Sequence, residues 1–386
     1  MSEVSTLLQD LVRIPSVNPA SALPSEPGGE GRLADFIEDW LRAADLSVQR
    51  QPVQPGRDNL IVQISGQGPP ALLLEAHLDT VGTADMSGEP FSGELREGRV
   101  WGRGACDDKA SVAAMLLAVR RTAHERKQAS RRSPPGMALA LVVDEEYGFT
   151  GIERLLAEAF PAPVLGAVVG EPTSLDVIDR HGGAVRMRFT ALGRAAHSAY
   201  PEQGENAIHH AMSLVQAFER HHQQLQAATA PGEGVRTCTV NLIEGGEAIN
   251  IVPARCSVSV DRRLAPGERP EAARAELEAV ASEASAGQFR CETQALLLDP
   301  PLTPHSPAPL AELCLQVAAE VTGYSGRRGV NYSTDASNLA ETGMEAVVLG
   351  PGDIAQAHSA EEWVAVEQVE QAAELYFRLA RAAAEV

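Results

Sequence analysis

Basic residues are scarce in this chain. Its 32 Lys and Arg stand against 52 Asp and Glu, a formal net charge of −20 over 386 residues. Sequence-independent nucleic-acid binding needs clustered cations to neutralise phosphates, so this balance argues against it. It favours solubility and cationic partners instead. Long apolar runs are missing too: none approaches the ~18 residues of a membrane span. The opening MSEVSTLLQDLVRIP has acidic residues and lacks the charged-then-apolar order of a secretion signal. The expectation is a soluble, cytoplasmic protein without a membrane partner. Cysteines are few: Cys106, Cys238, Cys256, Cys291 and Cys314 are odd in number, scattered, and form no CxxC. They read as reduced and mostly buried. No internal repeat or low-complexity tract is present.

What is there begins with size. A chain of 386 residues exceeds the length at which single cores stop growing, which predicts two domains. A hydrophobic content of 44% is ordinary for globular cores.

The stretch around which the rest is organised is 71–80, ALLLEAHLDT. Four apolar residues read as a buried strand running into His77 and Asp79, which point the same way if the strand continues. Metal-binding histidines commonly pass their second ring N–H to a carboxylate, which fixes the tautomer. Alone, an H-x-D is equally a strand end with two solvated polar residues. However, other apolar runs end in the same way. Residues 137–143 lead into Asp144, Glu145 and Glu146, 164–169 into Gly170 and Glu171, and 346–349 into Gly350, Pro351 and Gly352 with His358 shortly after. The segment GRGACDDK, 102–109, opens an Ala-rich helix. Open α/β sheets bind ligands outside the carboxyl ends of their strands, so several strands delivering His, Asp and Glu to one edge point to a metal site.

The remaining elements follow from periodicity. Helices are expected at 3–14, 32–44, 109–124, 206–226, 270–286, 310–321 and 366–384, and strand-like runs at 46–53 and 59–65. The segments 24–31, 66–70 and 125–136 read as loops or turns, and 81–100 as a long connection. After Thr173 the texture changes. Residues 185–191, 236–242 and 254–260 alternate like antiparallel strands with one wet face, and two helices lie between them. The fold class expected is α/β, a mostly parallel sheet flanked by helices over 1–177 and 293–386, with an inserted α+β domain at 178–292.

Taken in order, the segments LVRIPSVNP (11–19), HLDTV (77–81), GRGACDDK (102–109), DEEYG (144–148), GEPT (170–173), GRAAHSAYPEQGENAI (193–208), INIVP (249–253), VDRRLAPGE (260–268), STDA (333–336) and AHSAEEW (357–363) resemble the M20 family of zinc-dependent amidohydrolases and exopeptidases. That family includes acetylornithine deacetylases, succinyl-diaminopimelate desuccinylases, aminoacylases and glutamate carboxypeptidases. The resemblance implies a dinuclear centre holding two Zn2+, with Co2+ or Mn2+ as alternatives. His77 and Glu171 would bind one ion, Glu146 and His358 the other, and Asp107 would bridge both. Imidazole and carboxylate ligands suit zinc. Asp79 would orient His77. Asp108 departs from the family pattern and reads as a carboxylate pointing away or capping the next helix. Cys106 reads as packing.

Glu145 is the expected general base. Adjacent to ligand Glu146, it would take a proton from the attacking water and return it to the leaving amine. The resemblance places His197 in a lid, often reaching a neighbouring subunit's site, where it would donate to the developing oxyanion. Asn250 and Arg263 match positions that grip a substrate carboxylate, for which a guanidinium fork is suited. Arg262 is the adjacent alternative, since only one of the two can face a cleft from a strand. Ser333, Thr334 and Gly352 would line the pocket. The other histidines, at 124, 181, 209, 210, 221, 222 and 305, match no ligand position.

The activity implied is hydrolysis of an N-acyl amino acid. Acetylornithine deacetylase-like chemistry comes first, partly because an acidic protein attracts a cationic side chain. The rival substrates are short peptides, cleaved by a dipeptidase or a glutamate-type carboxypeptidase. The rival from another class is a non-catalytic metal-binding scaffold, against which the presence of Glu145 and five ligands argues. The lid would also form a homodimer.

Overall fold

The computed structural model describes residues 2–23, 28–64, 71–128, 136–158, 163, 165–229 and 234–383. The turn expected at 66–70, and parts of the loops at 24–31 and 125–136, lie outside the described residues. The chain divides into two compact units. One comprises Met1–Asp179, Pro304–Gly329 and Thr334–Val386; the other comprises Arg180–Thr303 and Val330–Ser333.

The first unit is built on an eight-stranded sheet. Its spatial order is Val48–Gln54, Arg57–Ile64, Met137–Val142, Leu72–His77, Gly166–Val169, Ala346–Val348, Val177–His181 and Arg327–Val330. The central four run parallel, and strands on either side of them are antiparallel. All residues of Met137–Val142 and Leu72–His77 are buried, the signature of strands covered on both faces. The helix Lys109–Gln128 carries Ala110, Ala113, Ala114 and Ala118, all fully buried, and these small side chains let it lie close to Val366–Ala383 and Glu3–Val12. The connection expected at 81–100 holds two short strands, Glu94–Arg96 and Arg99–Trp101. The second pairs with Trp363–Ala365. With three residues each, these strands are too short for an alternation to register.

The second unit is a four-stranded antiparallel sheet ordered Thr237–Gly245, Arg255–Leu264, Gly183–Leu192, Cys291–Asp299. Helices Ala207–Ala228 and Pro270–Ser285 pack on it through Phe189, Phe218, Leu214 and Leu277. The chain leaves this unit at Thr303 rather than at 293, because Cys291–Asp299 is the sheet's fourth strand. That strand keeps most of its residues at least partly exposed, so its sequence carries no alternating signal. Among the described residues, no helix is long and apolar enough to cross a membrane. All five cysteines are free, and four of them are buried.

Candidate metal centre and active site

Strand register brings the ligand-type residues to one edge. His77 lies opposite Val142, so residues 144–146, just past the end of the neighbouring strand, sit at the same edge. Glu75 lies opposite Val169, and Val348 pairs with Val169 from the other side, which sets Glu171 and Gly350 level with His77. Asp107 arrives separately, from the tight loop before the Lys109 helix. That loop depends on Gly104, at φ +80, where a Cβ would stand 2.7 Å from the Thr80 side chain. Lys109 fastens the loop from below, its Nζ donating to the carbonyls of Leu11 (3.1 Å) and Ile14 (2.7 Å).

Two groups of donors result, His77–Asp107–Glu171 and Asp107–Glu146–His358, each with ligand atoms within 4.8 Å of one another. Asp107 belongs to both. Its Oδ1 is 3.0 Å from His77 Nε2 and its Oδ2 is 3.3 Å from His358 Nε2. His358 Nε2 also lies 3.1 Å from the Glu146 carboxylate, and Glu171 Oε1 is 3.9 Å from His77 Nε2. The nitrogen and carboxylate donors, crowded with like charge, fit a pair of divalent cations. Burial pushes the Glu171 carboxyl well above its usual range, and the charges of Asp107 and Glu145 add to this.

Asp79 does more than the sequence suggests, and does it differently. His77 Nδ1 meets the Asp79 main-chain oxygen at 2.9 Å, and the Asp79 carboxylate is 3.6 Å away. A carbonyl only accepts, so Nδ1 carries a proton and Nε2 is left facing Asp107. The Asp79 carboxylate instead takes the backbone N–H of Glu145 (3.0 Å) and of Glu146 (3.2 Å). Burial pushes this carboxyl up, but the nearby His77 ring and hydrogen bonds from Asn18 and the Glu145 N–H reverse the shift and leave it below its usual range. The amide of Asn18 donates 2.8 Å bonds to both Asp79 and Asp144, and the buried Arg57–Glu30 pair reaches Asp144 as well. The motif at 11–19 thus enters the site through Asn18.

Glu145 is 8% exposed and belongs to neither donor group. Burial raises its pKa well above the ordinary range. The charge on His77 opposes this, and Asp335, Glu146 and Asp79 reinforce it. A general base works best with a pKa near the working pH, and cations held by the two donor groups would lower this one.

Asp108 belongs to neither donor group; it is fully buried directly before the Lys109 helix, and burial pushes its carboxyl up to about 8. The peptide bond joining it to Asp107 is cis. Gly352 is buried at φ +94, and its N–H is committed to Gln368 Oε1 at 2.7 Å, so it has no donor for a substrate. A Cβ there would meet Cys106 Sγ at 2.5 Å, which places Cys106 in the packing beneath the site. Thr334 is buried, with its hydroxyl accepting the Ala336 N–H at the start of the short helix Ala336–Ala340, and Ser333, half-buried, groups with the second unit.

In the second unit, His197 and Asn250 come together. His197 pairs with Ile251 across a two-stranded ribbon, and Ser198 N–H donates to Asn250 O at 3.0 Å; both side chains are exposed. Arg263 is not with them. The ribbon follows the Leu192 end of its strand, opposite Arg255, whereas Arg263 pairs with Ala184, eight positions or about 26 Å along the sheet. Arg262 is buried against Glu268, so Arg263, ion-paired to Asp261 at 2.7 Å, is the more exposed of the two.

Sequence reasoning missed Glu362. Its carboxylate accepts the backbone N–H groups of Cys106 (2.9 Å) and Asp107 (3.1 Å) and pairs with Arg103 at 2.6 Å. The EEW at 361–363 gave no sign of which acid turns inward.

The chain is 31% identical to an acetylornithine deacetylase of Myxococcus xanthus, covering 93% of this chain and 92% of that protein. It is 31% identical to a probable carboxypeptidase of Aspergillus terreus, covering 97% and 85%. Among solved structures, an M20 family metallo-carboxypeptidase of Sulfolobus solfataricus superposes with a TM-score of 0.79 at 15% identity, covering all of both chains. The family model of peptidase family M20/M25/M40 matches residues 73–382, and with these relatives it establishes that the chain belongs to that family of hydrolases.

Proposed function

We propose that this enzyme is a two-metal amide hydrolase acting on N-acyl amino acids, with acetylornithine deacetylase-like specificity. The observation that carries the two-metal reading is the sharing of Asp107, one oxygen to each donor group. His77, Asp107 and Glu171 would hold one cation, and Asp107, Glu146 and His358 the other. When bound, such cations supply Lewis acidity toward the scissile carbonyl and acidify the attacking water. Glu145 takes the water's proton and returns it to the leaving amine. Asp79 holds Glu145 and Glu146 in place by their backbones. Zinc is the ion these donors favour, with cobalt or manganese as substitutes.

The substrate choice rests on the Myxococcus relative and on the chain's net charge of −20, which suits a cationic side chain. The Aspergillus relative supports the exopeptidase alternative. Turnover of metal-reconstituted enzyme on a panel of N-acyl amino acids and dipeptides decides between them. Preference for N-acetylornithine is expected, and preference for dipeptides would replace the substrate class.

We also propose that the second unit acts as a lid and pairs two chains. His197 and Asn250 at one end of its sheet, and Arg263 at the other, are too far apart to grip one small substrate from a single chain. The edge strand Thr237–Gly245 exposes Leu242 and Ile243 by more than half, and Met212 on the adjoining helix is equally open. An edge of that kind is a template for pairing with its own copy. Leu242→Lys is expected to give a monomer by light scattering. Mixing inactive His197→Ala and Glu145→Ala chains is expected to restore activity, because one site of the mixed dimer is then whole. A mixture that stays inactive while mixed dimers form would assign His197 to its own chain.

A further inference from the structure

The loop carrying His358 is tied to the loop carrying Asp107 by one buried side chain. Glu362, four residues after His358, is 1% exposed. Its Oε1 takes two successive N–H groups, those of Cys106 and Asp107, and its Oε2 takes the guanidinium of Arg103, itself 2% exposed and donating to Gly82 O at 3.0 Å. Main-chain pairing continues the link, with Gly102 N–H donating to Glu362 O at 3.0 Å and Trp363 lying opposite Trp101. The bridging carboxylate therefore sits on a peptide whose position a remote acid sets.

We propose that Glu362, backed by Arg103, is a positioning residue for the metal centre. It fixes the direction of the Asp107 carboxylate and keeps His358 within reach of it. The proposal rests on the two-metal reading above, and it predicts unequal effects on the two ions. Asp107, Glu146 and His358 form the group that this tether spans. His358 is also the most exposed of the five ligand residues, with 52% of its side chain open and φ at +58. The ion in that group depends on the tether most. The first group has His77 and Glu171 on sheet strands or just beyond them, and needs it less.

The test is titration of the metal-free, full-length chain with Co2+ against a chelator, followed by d–d absorption, for wild type, Glu362→Gln and Arg103→Lys. The amide introduced by Glu362→Gln retains one acceptor but presents an N–H2 to Arg103 or to the backbone donors. The expected result is a loss of about 10- to 100-fold in affinity for the second ion, the usual size for partners that orient ligands. The first ion should change little, and the band assigned to the second ion should shift. Arg103→Lys should lie between wild type and Glu362→Gln. A control, Glu268→Gln, removes a comparable partner from buried Arg262 in the other unit and should leave both affinities alone. If Glu362→Gln fails to fold, Arg103→Lys carries the test by itself. Wild-type affinities and spectrum in the folded variant would overturn the proposal while leaving the two-metal reading intact. A wild-type chain that takes up fewer than two ions would remove that reading and this proposal together.

Discussion

Glu145→Ala is expected to abolish hydrolysis by about 10²- to 10⁴-fold in kcat while leaving two ions bound. At 1.36 kcal/mol per tenfold change, that is about 3–5 kcal/mol of lost transition-state stabilisation. The two halves of the prediction come from separate observations. Glu145 is in neither donor group, so the ions keep their ligands without it. Its backbone N–H, however, is held at 3.0 Å by Asp79, and its buried side chain lies close enough to His77 and Glu146 to feel their charges, which is where a base for the attacking water has to be. Glu145→Gln keeps the volume and loses only the base, and it should fall as far. Metal analysis and turnover on the same samples give the answer. A variant keeping more than a tenth of wild-type kcat would take the base assignment down. A variant that loses its metal would make Glu145 a ligand instead.

Asp107→Asn should be worse, and in a different way. Every other donor belongs to one group, whereas Asp107 belongs to both. An amide of the same size offers one neutral oxygen where two charged ones are needed, so both ions should be lost or strongly weakened. Glu171→Gln and His358→Ala should each weaken one. The loss reaches stability through linkage. A site filled at one hundred times its Kd contributes about 2.7 kcal/mol to the folded state, and two such sites about twice that. Thermal melts with and without a chelator should therefore separate widely for wild type and coincide for Asp107→Asn. Retention of both ions by Asp107→Asn would show that Asp107 does not bridge.

The parts of this site that were legible in the sequence are those announced by strand ends. His77, Glu146 and Glu171 each close an apolar run, and parallel register brings such ends to one edge. Asp107 and His358 lie off the strands, the choice of all five as one ligand set came from the family resemblance, and Glu145 was read from its place beside Glu146. The illegible parts depend on where backbone N–H groups point. Nothing in H-L-D tells that Asp79 turns its carboxylate to residues 145 and 146 rather than to His77. Nothing in A-E-E-W separates Glu362, buried against Arg103, from the exposed Glu361. The distance between Arg263 and His197 was hidden for another reason. Sequence spacing to Asn250 says nothing about which end of a sheet a strand residue occupies, and pairing with Ala184 settled that. The strand Cys291–Asp299 escaped because both its faces are largely wet.

Asp79 and Glu362 share a geometry whose consequence concerns tolerated variation. Each takes two successive amide hydrogens, at 145 and 146 in one case and at 106 and 107 in the other. At these four positions the main chain carries part of the function. Cys106 can become alanine or serine with its N–H contact intact, but proline at any of the four deletes a donor that no side chain replaces. These amides should also be among the last to exchange with deuterium, and exchange in the metal-free chain would show whether the frame stands before the ions arrive.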